Sequence, residues 1–246
     1  DFSMERGVIL DELAMGEDSP TDTVHDAFQL AVHGDRPIGR PVGGTPQAIR
    51  EVERADVWEH YQAHYGPSSL IVAAAGNVDH ESVCERVQAA LEGSPWDARS
   101  AASPRPRRST TVTPIAAHDK DITRRRDVTQ AHVVIGCEGL AATDPAGPTM
   151  SVLLSVLGGS MSSRLFQEVR EKRGLAYTTY AFDVAYSDTG TFGMYAGCSP
   201  DKVHEVEAIM RAQLEDLAVD GPTEEEMTRV RGQVRGGVVL GLEDNW

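Results

Sequence analysis

The chain has 246 residues, 40% of them hydrophobic, and carries 38 acidic against 23 basic side chains for a formal net charge of -15. That length and apolar content suffice for one large or two ordinary domains with a real core. The acidic balance argues against nucleic acid as the main partner, because phosphate binding needs a basic patch. No apolar run approaches the ~18 residues of a membrane span, so a soluble protein with no membrane partner is expected.

The first predicted element is the helix MERGVILDELAM, marked by the spacing of Met4, Val8 and Ile9. Glu5 and Glu12 are seven positions apart on it and project from one face, either as a solvated acidic surface or as a metal ligand with a supporting carboxylate. A turn at EDSPTD precedes the helix VHDAFQLAVH, with Thr21 or Asp22 as its expected cap and Gly34 as its stop. His25 and His33 on that helix read as surface or packing residues. The loop DRPIGRPVGGTP follows, and Thr45 caps a short helix with Pro46 in its first position.

Asp56 and Glu59 form an expected capping box for the helix VWEHYQAHY. His60 and His64, four apart, have the spacing of two zinc-binding imidazoles, but Tyr61 and Ala63 stand where HExxH or HxxEH requires glutamate. Leu70 to Ala75 is a short apolar run consistent with a strand buried on both faces, and Asp79 caps an amphipathic helix through Val83, Val87 and Leu91. From Gly93 to about Arg126 the composition turns to Ser, Pro, Arg and Asp, as in an interdomain connector, with TTVTPI as a candidate strand.

The second half opens with the strand HVVIGC and a helix ending near Gly158. In GGSMSSRLFQEVREKRGLAYTTY, Leu165, Phe166 and Val169 form the buried stripe of another helix. Ser162 or Ser163 is its cap, Arg164 with Glu168 and Glu168 with Lys172 are its ion pairs, and Gly174 is its stop. This corner holds Arg170 and Tyr177 seven positions apart, a pair that could grip a substrate carbonyl. Two strands joined by SDTG predict an antiparallel hairpin. Ser199 and Pro200 are the expected cap of a helix that turns Val203, Val206, Ile209, Met210, Leu214 and Leu217 inward, and Thr223 with Glu226 boxes the last helix. Cys84, Cys137 and Cys198 are an odd count without a CxxC pair and read as buried thiols of a reducing, cytoplasmic protein.

Four stretches, MERGVILDELAMGEDSP, HGDRPIGRPVGGTPQAI, YGPSSLIVAAAGNVDH and GGSMSSRLFQEVREKRGLAY, resemble the pitrilysin and insulinase (M16) family of metallopeptidases, and within it the bacterial members similar to the mitochondrial processing peptidase β-subunit. The resemblance implies an α+β fold of two related units, each an antiparallel-rich sheet with helices packed on one face. The first unit is expected to be truncated at its N-terminus and the second at its C-terminus. Residues 1–100 would be the back of the first, zinc, domain, 101–126 the linker, and 127–246 the front of the second domain.

By the same resemblance Glu12 matches the family's third zinc ligand, Glu5 its supporting acid, and Arg170 and Tyr177 the pair that contacts substrate backbone; Arg164 is structural. The family's HxxEH is absent from these residues and is expected upstream of Asp1. The fragment alone is therefore not expected to hold the one Zn2+ of its parent or to hydrolyse peptides. In the parent, zinc would lower the pKa of its bound water toward ~7 for attack on a scissile carbonyl. The expected substrate is a peptide or unfolded segment, and the expected partners are a second copy or another M16-like chain. The alternative is a non-catalytic M16-like subunit or scaffold.

Overall fold

The computed structural model describes residues 1–67, 70–96 and 121–243. Contacts divide the chain into two compact units, one drawn from Asp1–Asp11 and Thr45–Arg108, the other from Glu12–Gly44 and Ser109–Trp246. Helix α1 (Phe2–Asp18) contributes to both. Most of the expected connector, TTVTPI and the end of the last helix lie outside the described residues.

In the first unit the helices are α3 (Pro46–Glu51), α4 (Arg54–His64) and α5 (His80–Leu91), and none of them buries a residue. Their ends follow local chemistry. Thr45 Oγ1 accepts from the Ala48 amide at 3.2 Å and Asp79 Oδ1 from the Ser82 amide at 2.9 Å. The box of α4 differs from the expected one: Glu53 is the cap, and Asp56 accepts from its amide at 2.9 Å, so the helix starts earlier than Asp56. A carboxylate at the third position reaches back as well as one at the cap reaches forward, so the sequence admits both registers. Along α4, Trp58 stacks on Tyr61, Tyr61 on Tyr65, and the Trp96 indole donates to the Tyr61 hydroxyl at 2.8 Å.

The strand expected at Leu70–Ala75 does not form; the segment has no regular secondary structure, and Ile71 is 90% exposed. A strand requires a neighbour for its backbone groups, and the described residues of this unit contain no other strand. Val72 and Ala74 instead line, with Val83, Val87 and Leu91, a groove of 710 Å³.

The second unit is built on a three-stranded antiparallel sheet of β1 (Ala131–Glu138), β2 (Ala176–Ala185) and β3 (Gly190–Cys198) in the order β1-β3-β2. The hairpin forms as expected, with the Tyr186 amide donating to Thr189 O at 2.8 Å across SDTG. Central β3 is buried along its whole length. Its Phe192, Met194, Ala196 and Cys198 join one core with Val156 and Leu157 of α6 (Gly147–Leu157), Leu165 and Val169, Val206, Met210 and Leu217 of α7 (Val203–Asp220), and Val230 of α8 (Glu224–Glu243). Phe166 of the expected stripe is only half-buried.

The opposite sheet face receives α2 (Pro20–His33), capped by Ser19 rather than by Thr21 or Asp22 because Pro20, lacking an N–H, occupies its first position. Phe28 meets Phe182 edge-on and lies over Gly136, where a Cβ would come within 2.7 Å of its ring and 2.0 Å of Phe192 O. That glycine is what admits the helix so close to the sheet. Of the three thiols only Cys198 is buried; Cys84 and Cys137 are exposed, correcting the expectation for both. Cys84 sits on a helix that buries nothing, and Cys137 in the outer half of an edge strand. No helix among the described residues is long and apolar enough to cross a membrane.

Candidate functional site

The corner after α6 is built by an unusual helical turn. Residues 164–171 are helical, and Phe166–Glu171 is a π-helix, closed by the Lys172 amide donating to Gln167 O at 2.9 Å. Leu165 and Val169 are fully buried and anchor the turn in the core. Gly174, at φ +62°, then reverses the chain into β2, a backbone region in which other side chains are strained. The widened turn is a common feature of functional sites.

This geometry brings Arg170 and Tyr177 together. The Arg170 guanidinium lies 4.4 Å from the Tyr177 ring centroid and 4.7 Å from that of Phe166, and its Nη1 donates to Tyr177 O at 3.0 Å. The cation is therefore held between two rings, an arrangement worth about 0.5–1 kcal/mol per exposed contact. Tyr177 sits at the register shift between Ala176 and Thr178 on β2, and is 74% exposed. Such a bulge re-aims one side chain without ending the strand. The Phe166 contact went unforeseen, because Phe166 reads equally well as core; its spacing four before Arg170 was the available signal.

Arg164 does not pair with Glu168 as expected. It makes a bidentate contact with Glu226 at 2.7 and 2.9 Å and also donates to Gly221 O at 3.2 Å, while Glu168 takes Lys172 and Arg173, each at 2.5 Å. Both partners of the Arg164 pair are largely shielded, their side chains 15% and 13% exposed. The hydrogen bond from Arg164 is the main reason the Glu226 carboxyl is held down at about 2. Glu226 is also the far half of the Thr223 box, accepting from the Thr223 amide at 2.7 Å. This clamp ties the π-turn to the start of α8 and is structural.

Glu5 lies on α1 in the first unit and Glu12 in the second, both exposed. Among the described residues neither carboxylate is committed to a hydrogen bond or ion pair, and no contact links Glu12 to Arg170 or Tyr177. A free carboxylate suits zinc, but no group of three His, Cys, Asp or Glu side chains that could hold a metal gathers among the described residues. These residues thus offer one ligand rather than a centre. The His60 and His64 rings meet at a tilt of 39° with centroids 4.1 Å apart on α4.

Comparison with known proteins supplies the context. A sequence model described as "Peptidase M16 inactive domain" matches residues 51–234. An uncharacterized zinc protease of Streptomyces coelicolor is 48% identical over 244 residues, which are 99% of this chain and 53% of that protein. Uncharacterized zinc proteases of Mycobacterium tuberculosis (39% identical, 100% of this chain and 55% of that protein) and Bacillus subtilis (31%, 99% and 57%) are similar along the same length. The chain thus spans about half the length of the curated relatives it matches. Among solved structures, a protease from Helicobacter pylori superimposes with a TM-score of 0.79 at 20% identity, over 99% of this chain and 59% of that one. A peptidase M16 inactive domain from Pseudomonas fluorescens gives 0.75 at 18%, over 96% and 55%.

Proposed function

The chain belongs to the M16 peptidase family, and on that premise we propose that it is the substrate-contacting part of a zinc-dependent endopeptidase acting on peptides or unfolded segments. The observation that carries the proposal is the Arg170–Tyr177 pair. A rigid turn holds a cation between two rings and leaves the neighbouring tyrosine 74% exposed. In this reading the Tyr177 hydroxyl donates to the oxygen of a scissile carbonyl as negative charge develops on it. Arg170, with Nη1 given to Tyr177 O and Nε 3.8 Å from the Glu171 carboxylate, fixes that ring and turns its Nη2 group to the substrate backbone.

Glu12 would offer one carboxylate to zinc, with Glu5 as its supporting acid, and the metal when bound would supply an activated water. The division into a first domain over 1–100, a linker over 101–126 and a second domain over 127–246 belongs to the same reading. So does a cytoplasmic setting, supported by three unpaired thiols. A second copy or another M16-like chain is the proposed partner.

The test uses the full-length protein. Tyr177→Phe is expected to lower kcat/KM on an unfolded peptide by about 10²-fold, the usual cost of losing one such donor, with zinc content unchanged. Glu12→Gln is expected to lose zinc by metal analysis. Unchanged turnover in the first variant removes Tyr177 from the site, and undiminished zinc in the second removes Glu12 from the ligands.

The description of the matched domain as inactive favours one other reading: a non-catalytic subunit or scaffold. In that case hydrolysis appears only when a second M16-like chain is added.

A further inference from the structure

The seam between α2 and the sheet is rich in imidazole. Thr21, His25, Phe28, Gln29 and His33 fall on one face of α2, with spacings of four, three, one and four. His25 lies against Tyr180, Phe182 and Tyr195, its Nδ1 bonded to Thr21 O at 2.8 Å and its Nε2 to the Tyr180 hydroxyl at 3.2 Å. His132 Nδ1 is 2.8 Å from the Tyr195 hydroxyl. His33 differs from both. It is the last residue of α2, 1% exposed, and neither of its ring nitrogens has a hydrogen-bond partner among the described residues.

Every element around His33 closes on it. The Tyr186 ring, at the start of the β2–β3 turn, meets it edge-on at 6.1 Å. The turn Pro37–Gly39 folds back over it so tightly that a Cβ at Gly39 would lie 3.1 Å from His33 Cβ and 2.3 Å from Gly34 O. The charged groups that act on the ring are Glu138 at the end of β1, Asp188 in the β2–β3 turn, and Arg36 in the loop after α2. No solvent reaches either nitrogen, so a proton added to this ring enters a site with no acceptor for it.

We propose that His33 is an acid-operated release for α2: on mild acidification it takes up a proton, must draw in water, and frees the C-terminal end of α2 from β1 and the β2–β3 turn. The acidic groups Glu138 and Asp188 sit close enough to favour the proton but are not hydrogen-bonded to it, so opening is the route by which the charge becomes solvated. Burial, the largest influence, holds the imidazole below its ordinary value; Glu138 pulls it back up, Arg36 pushes it further down, and Asp188 pulls it up. The sign follows. A released His33 titrates near 6.5 and the docked one lower, so docking is fully favourable above about 6.5 and weakens as pH falls below it, the released population rising by up to about tenfold per pH unit until the docked value is reached.

Amide hydrogen exchange on the full-length protein at pH 7.5 and 5.5, corrected for intrinsic rates, reads this directly. The expected result is an opening of residues 28–34 that becomes several-fold, at most about tenfold, easier at pH 5.5, while amides of central β3 change little. His33→Leu should make α2 insensitive to pH over that range. The same acid loosening in His33→Leu overturns the proposal and assigns the effect to His25 or His132. If the variant does not fold, the ring titration of His33 in the unaltered protein, followed by NMR, still decides: a midpoint below 6.5 supports the release, and one at or above 6.5 overturns it.

Discussion

Helix α5 is capped and buries nothing, whereas α7 has no side-chain cap and is buried along one face. Asp79 closes the first turn of α5, and Val83, Val87 and Leu91 follow at four-residue spacing, yet they only line an open groove. In α7 the starting residue Lys202 makes no capping hydrogen bond, but Val206, Met210 and Leu217 lie in the core of the sheet unit. The difference separates two jobs that a helical sequence performs. Caps and spacing delimit a helix, and packing of its apolar stripe is what holds it.

The sharpest way to break the comparison is to truncate one apolar residue in each helix. Met210→Ala removes a fully buried side chain from a filled core and is expected to cost about 2–5 kcal/mol. Val87→Ala is expected to cost less than about 1 kcal/mol, because its surroundings are already open. Urea unfolding followed by far-UV circular dichroism measures both. Equal losses would mean that the groove on α5 is filled in solution.

Next in size is the Arg164–Glu226 clamp. Arg164→Ala strands a largely shielded carboxylate and is expected to cost roughly 2–3 kcal/mol at pH 7. Glu226 has its native value depressed to about 2, so its contribution is complete above the unfolded value near 4.5 and is lost as pH falls through about 2. The gap between the original protein and the variant should therefore be widest at neutral pH and shrink steadily below about 4.5. A gap independent of pH between 7 and 3 would mean that packing of the arginine stem, rather than the ion pair, carries the effect.

These two tests also mark what the sequence could and could not convey. Signals confined to a few neighbouring residues were legible: the β2–β3 hairpin, the Thr223–Glu226 box, the stop at Gly174, and the Arg170–Tyr177 corner, whose two members are seven positions apart. The partner of Arg164 was not, because Glu226 lies 62 residues away and Glu168, four away, offers the same charge. The run at Leu70–Ala75 has the composition of a buried strand, but composition does not supply the neighbouring strand that a ladder requires. The π-turn at Phe166–Glu171 carries no composition of its own. It arises from tertiary packing of Leu165 and Val169, and with it came the placing of Phe166 on Arg170. For Glu5 and Glu12 the sequence put both on one helix, and what faces either carboxylate depends on groups that no local pattern specifies.

The smallest expected effect is the most discriminating for the two jobs. Asp79→Ala and Thr223→Ala each remove one side-chain acceptor from a helix start, the first at 2.9 Å from the Ser82 amide and the second at 3.2 Å from the Glu226 amide. A lost cap costs about 1 kcal/mol wherever it occurs, since the orphaned amide is exposed to water in both cases. The consequences should nonetheless differ. On α8 the loss is shared with a helix whose Val230 is buried and whose Glu226 is held by Arg164, so the helix stays formed and only the unfolding midpoint falls. On α5 no buried residue anchors the first turn, which besides the cap has only the weak His80–Cys84 contact at 3.5 Å, and the same loss frays it, lowering helical content at 25 °C without a comparable shift of the main transition. Amide exchange at residues 80–84 resolves the outcome: protection there that survives Asp79→Ala would mean that packing holds α5 as it holds α7.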